Sequence, residues 1–271
     1  MLGRDLVELL RRGGAEVTAA GHAELDIADG DAADAAVRGH DVVVNCAAWT
    51  AVDDAESHEP AAFQVNAVGA ARLGGAAHAH GARMVQISTD YVFDGAATSP
   101  YAEDAPPGPR SAYGRTKLAG EWAVRCLCPD ALVVRTGWLY GARGSCFPRT
   151  IARVAREQGG VEVVDDQVGQ PTWTTDLADL VVRLVGAGAP AGTYHGTAGG
   201  QASWFEFARA VVADAGLDPA IVRPTSSEAF SRPAPCPAFS VLGHDRLSDV
   251  GVAPIGHWSQ RWTEAAGVVL A

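Results

Sequence analysis

The feature that most constrains this fold is an alternation of short apolar runs with helical segments. Residues 41–45 (DVVVN), 84–88 (MVQIS) and 132–136 (LVVRT) predict strands, and residues 57–80 and 111–126 predict helices. These strands have apolar residues for both faces, which is typical of a parallel sheet that is covered by helices on each side. The sequence therefore predicts a doubly wound α/β fold.

The ends of the chain add further elements to this pattern. Residues 3–12 have apolar side chains at helical spacing, and residues 16–20 (EVTAA) predict a short strand. Later in the chain, residues 174–184 predict a helix, and residues 193–195 a strand that returns to the first lobe.

Beyond Gly141 the segments become shorter, and prolines concentrate between Arg223 and Pro237. We therefore expect a discontinuous division of the chain. A dinucleotide-binding domain would comprise residues 1–140 plus 172–198. A smaller substrate-binding lobe, residues 141–171 plus 199–271, would lie over the carboxyl edge of the sheet.

Charge and cysteine content narrow the classes of partner. The net charge of −11 and the pI near 5.1 disfavour nucleic acid and anionic membrane surfaces. No uncharged run has the composition of a spanning helix, because glycines and a proline interrupt residues 184–205. The five cysteines are odd in number and scattered, which favours reduced thiols in the cytoplasm over disulfides or a metal site.

One pair of residues indicates chemistry. Tyr113 and Lys117 are four residues apart in a predicted helix, so their side chains share one face. Such a pair also occurs on ordinary helix surfaces. However, the chain has 20 arginines and one lysine, and that lysine is Lys117. Arginine offers a rigid planar fork, whereas lysine offers a compact ammonium group, so this position favours a functional role.

A second group of polar residues follows a predicted strand. Ser88, Thr89 and Asp90 come at the end of the strand predicted at 84–88. The carboxyl ends of parallel strands are where such sheets bind ligands. Capping of a turn or helix by these residues is the simpler alternative. A strand-end hydroxyl followed one βα unit later by Tyr113 and Lys117 favours an active site.

The order of the motifs resembles the extended short-chain dehydrogenases, and within them the dTDP-4-dehydrorhamnose reductase family. The resemblance covers the chain in collinear order and depends on residues 45–50 (NCAAWT), 88–93 (STDYVF), 113–121 (YGRTKLAGE), 135–141 (RTGWLYG), 165–172 (DDQVGQPT) and 232–233 (RP). It implies a Rossmann-like sheet and an oxidoreductase.

The resemblance implies hydride transfer from NADPH, with NADH as the alternative, to the C4 ketone of a dTDP-4-dehydro-6-deoxyhexose. The implied substrate is dTDP-4-dehydro-L-rhamnose. Tyr113 would donate the proton, and Thr89 would hydrogen-bond the same oxygen. Lys117, together with the nicotinamide, would lower the pKa of the phenol. The end of the second strand, residues 20–22, lacks an acidic residue for a ribose hydroxyl, which favours NADPH.

The family's motifs also assign binding residues by position. The cofactor would contact Leu2, Gly3, Asp26, Ile27, Ala48, Trp49, Thr50, Tyr113 and Lys117. The sugar would contact Thr50, Thr89, Asp90 and Trp138. Asp26 as a turn residue and Trp138 as a core residue are the structural alternatives. Dehydratases of the same superfamily carry Glu where this chain has Tyr91, so dehydration is disfavoured.

Three departures from the family pattern stand out. The family opens with a strand and a glycine-rich turn, whereas residues 1–4 (MLGR) resemble only the end of that turn. The first strand is therefore expected to be missing, through a start assigned too late or, as the second alternative, a truncation. Cys146 replaces the usual Asn, and Cys236 stands where Arg is common.

These departures keep other functions open. One alternative is a 4-ketoreductase for another dTDP-deoxysugar in natural-product glycosylation, for which Cys146 and Cys236 are the motivation. Another is a non-catalytic regulatory subunit of the same fold, like that of methionine adenosyltransferase. The resemblance also allows a homodimer with magnesium at a subunit contact, where Asp5 is a candidate ligand. We expect no catalytic metal.

Overall fold

The computed structural model describes residues 1–230 and 232–271. Its helices are α1 (Leu2–Arg12), α2 (Gly30–Val37), α3 (Val52–Ser57), α4 (Glu59–Phe63), α5 (Ala70–His80), α6 (Ala112–Leu127), α7 (Phe147–Gln158), α8 (Thr174–Gly186), α9 (Trp204–Asp214), α10 (Asp245–Asp249) and α11 (Trp258–Leu270). A π-helical segment, Gln64–Gly69, joins α4 to α5.

The strands are β1 (Val42–Asn45), β2 (Arg83–Thr89), β3 (Leu132–Thr136), β4 (Leu139–Tyr140), β5 (Val161–Val164), β6 (Val168–Gly169), β7 (Thr172–Trp173), β8 (Gly192–His195), β9 (Ala198–Gly199), β10 (Ala202–Ser203), β11 (Val222–Thr225) and β12 (Ile255–His257). The main sheet has the order β1-β2-β3-β8, and all its pairs are parallel. The other strands form two-stranded pairs.

Apolar side chains on both faces explain the central sheet. All five residues of β3 are buried, as are six of the seven residues of β2. On one side α1 and α8 contribute Leu6 and Leu180 to the principal core, and on the other α2 and α5 contribute Val37 and Leu73. This layering confirms the predicted Rossmann-like α/β fold. A further core joins α7, α9 and α11 around Phe207 and Trp262.

Local signals define several helix ends. Asp29 caps α2 by accepting hydrogen bonds from two backbone N–H groups, and Ser203 with Glu206 forms a capping box on α9. Gly81 ends α5 with a φ of 72°, a conformation that glycine adopts without steric cost. The predicted division into two domains stays a prediction.

Two predicted elements are wrong in detail. Residues 16–20 form no strand, because no backbone ladder joins them to a neighbour within the described residues. Instead, Arg11 donates to the Val17 carbonyl and His40 contacts the Thr18 hydroxyl. The helix predicted at 57–80 is interrupted at His58 and has a π-helical segment at its centre.

The parallel direction of the strands brings three polar residues to one edge of the sheet. Because β1, β2 and β3 are parallel, Asn45, Thr89 and Thr136 all lie at the carboxyl edge. None of the helices in the described ranges is long and apolar enough to cross a membrane.

Candidate active site

Tyr113 and Thr89 meet where β2 ends and α6 begins. The N-terminus of α6 can approach the loop after β2 because residue 114 is glycine; a Cβ there would lie 2.2 Å from the Tyr91 carbonyl oxygen. Tyr91 packs edge-on against Tyr113, with ring centroids 5.6 Å apart. Burial raises the pKa of Tyr113 to about 12, whereas the nearby Thr89 hydroxyl acts to lower that pKa.

Lys117 lies one helical turn after Tyr113 and is 4% exposed. Its Nζ donates a hydrogen bond to the Ile87 carbonyl oxygen at 2.6 Å, just below the end of β2. Burial lowers the pKa of Lys117 to about 8, while the negative charge of Glu121 acts to raise it. The helix face thus places both side chains at the carboxyl end of the same strand.

The predicted lowering of the Tyr113 pKa by Lys117 stays a prediction, because it also depends on the charge of a nicotinamide bound beside both side chains. In the described chain, burial is the main cause that raises the pKa of Tyr113, and the charge of Asp90 adds to it. The phenol is therefore a weaker acid here than free tyrosine.

Asp90 follows Thr89 and is 2% exposed. Its Oδ1 accepts a hydrogen bond from Thr89 Oγ1 at 3.0 Å, and its Oδ2 has no hydrogen-bond partner within the described residues. Burial raises the pKa of Asp90 to about 6. Space for the carboxylate exists because residue 137 is glycine, where a Cβ would lie 2.6 Å from Oδ2.

Trp138 comes directly after Gly137 in an unusual conformation. Its φ is 51°, in the left-handed region that non-glycine residues seldom adopt. Its indole stacks on Trp204, with ring centroids 3.5 Å apart and planes 2° from parallel. Gly169 allows this, because a Cβ there would lie 2.4 Å from the Trp138 ring. Backbone strain of this kind concentrates at functional sites.

The loop after β1 carries the next predicted residues. Ala48 and Trp49 are half-buried and Thr50 is exposed. The Trp49 backbone exchanges hydrogen bonds with the Asn66 side chain, with N to Oδ1 at 2.8 Å and Nδ2 to O at 3.3 Å. Trp49 and Tyr113 border the same small apolar cluster. The loop therefore lies beside the phenol.

Asn66 was not recognised from the sequence, and it occupies the π-helical segment. Its Nδ2 also donates to Thr116 Oγ1 at 3.0 Å. Gly120 of α6 packs directly on it, because a Cβ there would lie 2.1 Å from the Asn66 carbonyl oxygen. The irregular helix thus connects the loop after β1 to the helix that carries Tyr113 and Lys117, and such π-bulges are frequent at functional sites.

The first turn of α1 lies beside this edge. A Cβ on Gly3 would lie 3.6 Å from Cys46 Cβ. Burial raises the pKa of Cys46 to about 12, while the positive charges of Lys117 and of the N-terminal amine act to lower it. A helix N-terminus with free N–H groups suits a phosphate. Leu2, in contrast, is buried in the principal core.

The two residues predicted to contact adenine lie apart from the catalytic side chains. Asp26 is exposed and accepts a hydrogen bond from the Ala28 N–H, so it is a turn residue in this structure. Ile27 is buried and packs against Gly69 in the core beneath α2 and α5. Their roles as cofactor contacts stay predictions.

A buried ion pair supports the site from below. Arg135 of β3 donates to both carboxylate oxygens of Glu121, at 3.0 and 2.8 Å, and both side chains are at most 4% exposed. Ser88 Oγ donates to the same carboxylate at 2.5 Å. This pair joins α6, β2 and β3 directly behind Thr89 and Lys117. The motifs contained these residues, but their pairing was not predicted.

A loop from the C-terminal part of the chain closes one side of the site. Arg232 donates to Asp53 Oδ2 at 3.0 and 2.6 Å. Cys236 lies 3.7 Å from the Tyr91 hydroxyl, and together they border a cavity of about 120 Å³ that Arg110 also lines. Cys236, the position that departs from the family pattern, therefore faces an opening that Tyr91 and Ser111 also line.

The residues at the carboxyl edge of the sheet fit a nicotinamide dinucleotide in two respects. Trp49 Nε1 is a buried polar atom without a partner in the described chain, and the first turn of α1 lies beside Cys46. A metal site has less support. Among the described residues no three His, Cys, Asp or Glu side chains cluster, and Asp5 Oδ2 accepts a hydrogen bond from Thr174 at 2.5 Å.

Comparison with known proteins agrees with this architecture. The RmlD substrate binding domain family matches residues 1–269. A dTDP-4-dehydrorhamnose reductase of Streptomyces griseus is 50% identical, over 98% of this chain and 90% of the relative. A Streptomyces antibioticus protein, named a probable dTDP-4,6-dihydroxy-2-methyloxan-3-one 4-ketoreductase, is 47% identical over 100% of this chain and 93% of its own length.

Solved structures agree as well. The crystal structure of a Bacillus anthracis dTDP-4-dehydrorhamnose reductase in complex with NADP has a TM-score of 0.93 and 35% identity. The match covers 97% of this chain and 94% of that chain. The family model matches residues 1–269 and a named reductase is 50% identical over 98% of the chain, so the chain belongs to the dTDP-4-dehydrorhamnose reductase family.

Proposed function

We propose that this protein uses NADPH to reduce the C4 ketone of a dTDP-4-dehydro-6-deoxyhexose, with dTDP-4-dehydro-L-rhamnose as substrate. The observation that carries the proposal is the convergence of Thr89, Tyr113 and Lys117 at the carboxyl end of β2. The name of the NADP-bound Bacillus anthracis relative supports the choice of cofactor.

Each residue has a defined task in this proposal. NADPH supplies the hydride when it is bound. Tyr113 holds a proton on its phenol oxygen and donates it to the carbonyl oxygen as that oxygen gains negative charge. The Thr89 hydroxyl keeps the two oxygens in line. Lys117 supplies a positive charge at the carboxyl end of β2, which favours the phenolate over the phenol.

The substrate contacts follow from the neighbours of Tyr113. Trp138 offers a rigid aromatic face, held by Trp204, against which the deoxyhexose would lie. Arg110 lines the cavity next to Tyr91, and Arg232 lies on the loop beside it. Because Arg232 already pairs with Asp53, Arg110 is the cation that would attract a substrate with a diphosphate to this acidic chain, whose net charge is −11.

A decisive experiment is NADPH oxidation by the purified protein with dTDP-4-dehydro-L-rhamnose as substrate. Turnover at a rate typical of biosynthetic enzymes, on the order of 1–10³ per second, would support the proposal. NADPH binding by calorimetry without turnover on any dTDP-ketosugar would refute it, and would favour the regulatory-subunit alternative.

A second candidate is reduction of a different dTDP-deoxysugar. It is favoured by Cys236 beside the Tyr91 hydroxyl, and by the name of the Streptomyces antibioticus relative. Turnover on several dTDP-ketosugars separates the two candidates. A clear preference for the rhamnose precursor would eliminate the second.

The pH dependence follows from the burial of Lys117. Its pKa of about 8 means that the amine loses its charge as the pH rises through that value. We therefore expect kcat/KM, which reports on the free enzyme, to fall above about pH 8. Measurement of kcat/KM across the alkaline range tests this. A decline that begins only near the ordinary lysine pKa of 10.5 would contradict it.

We also propose that the protein works in the cytoplasm, where its five free cysteines would stay reduced. The homodimer stays a prediction.

A further inference from the structure

The chain makes an unusual turn where it leaves the end of β3. Trp138 at this turn has a φ of 51°, a conformation that bulky residues seldom adopt and that glycine adopts without steric cost. The residue directly before it is Gly137. The chain therefore keeps a large aromatic side chain at a position where glycine would suit the backbone better, which indicates that the indole itself has a function.

Trp204 covers this indole in a close parallel stack. The ring centroids are 3.5 Å apart, the planes are 2° from parallel, and both side chains are half-buried. Aromatic pairs prefer offset or edge-on arrangements with centroids about 4.5–7 Å apart. Phe147 packs against the indole of Trp204 with ring centroids 4.4 Å apart. The surrounding chain therefore imposes the stack, and the preference of the two rings for each other does not explain it.

The position of Trp204 is fixed by the backbone around the start of α9. Trp204 is the first residue of this helix, and Ser203 with Glu206 forms the capping box directly before it. Ser203 Oγ also donates to Asp165 Oδ1 at 2.5 Å. The strand before the helix, β10, pairs with β6, whose Gly169 packs against the Trp138 indole. These contacts hold both indoles in place without any contribution from a bound sugar.

We propose that Trp204 is a positioning residue that acts on the deoxyhexose through Trp138, an inference that rests on the proposed reductase function. The stack keeps the Trp138 indole in one orientation before the substrate arrives. The sugar then meets an aromatic surface that is already ordered, so binding loses no free energy to the ordering of that side chain. A sugar held in one orientation also presents its ketone to Tyr113 in a reactive geometry.

The test is a double-mutant cycle of Trp204→Leu, Trp138→Leu and the double variant. Leucine retains apolar volume for packing but has no flat ring for stacking. Trp258→Leu is the matched control, because Trp258 is also half-buried, begins a helix, and packs against the same aromatic core as Trp204. NADPH oxidation with dTDP-4-dehydro-L-rhamnose gives kcat and KM for each variant.

We expect Trp204→Leu to lower kcat/KM by about 10–100-fold relative to the control, since a small misplacement of a substrate costs rate on this scale. In the Trp138→Leu background the same substitution should change kcat/KM by less than about 3-fold, because the residue that it positions is already gone. Trp204→Phe retains a flat ring and should restore most of the activity. If Trp204→Leu does not fold, Trp204→Met takes its place in the cycle, because methionine fills irregular gaps.

A second readout does not depend on turnover. Calorimetry compares the affinity of each variant for dTDP and for dTDP-L-rhamnose, which differ only in the sugar. Trp204→Leu should weaken the binding of dTDP-L-rhamnose and leave the affinities for dTDP and NADPH within a few-fold of the wild-type values. A general disturbance of the fold would weaken all three.

Two results would overturn this role of Trp204. One is an unchanged kcat/KM in Trp204→Leu. The other is a double variant in which the two losses multiply, because Trp204 would then act independently of Trp138. Absence of turnover by the wild-type protein on any dTDP-ketosugar would instead refute the proposed function.

Discussion

Replacement of Tyr113 by Phe is expected to lower kcat/KM for the ketosugar by about 10²–10⁴-fold, the usual contribution of a positioned general acid. The substitution removes one oxygen atom and leaves the ring that packs against Tyr91. NADPH oxidation under substrate saturation and at low substrate measures kcat and kcat/KM separately.

The expected signature is a loss in kcat with a small change in KM, because the phenol acts mainly in the transition state. NADPH affinity by calorimetry should stay within a few-fold of the wild-type value. Tyr194→Phe provides the matched control, since its buried hydroxyl donates to the Pro190 carbonyl oxygen and contacts none of the site residues named above. A Tyr113→Phe protein that keeps more than about a tenth of wild-type activity would exclude a general-acid role for this residue.

Much of the fold could be predicted because the strands of a parallel sheet are apolar on both faces. The strands at 42–45, 83–89 and 132–136 lie within one residue of their predicted bounds, since β-branched runs leave few alternative structures. Residues 16–20 have a similar pattern but form no strand. A strand requires a partner, and the sequence pattern carries no information about which partner is present.

The candidate site, like the fold, could be predicted from the sequence only in part. Tyr113, Lys117 and Thr89 could be proposed because their chemistry and spacing are visible within short motifs. Asn66 and Trp204 could not, because their partners Trp49 and Trp138 are distant in sequence. Such pairings depend on tertiary packing, which a single sequence does not display.

The second large expected effect is a loss of stability when the ion pair between Glu121 and Arg135 is broken. Glu121→Leu should destabilise the protein by about 3–5 kcal/mol, because Arg135 would be left charged, buried and without its carboxylate. Ser88 would also lose its acceptor. Urea unfolding, followed by circular dichroism, measures the change in the free energy of unfolding. Glu157→Gln breaks an exposed pair with Arg153 and should cost well under 1 kcal/mol.

The double variant Glu121→Leu/Arg135→Met separates the cost of an unpaired charge from the loss of attraction. Replacement of both charged residues by apolar ones of similar size often restores stability, so we expect the double variant to recover at least half of the loss. Recovery would mean that the pair contributes little net stability to the fold. In that case the double variant should remain folded yet lose activity, because Glu121 also helps to keep Lys117 charged. A double variant that is both folded and fully active would show that the pair has no role in the arrangement of the site.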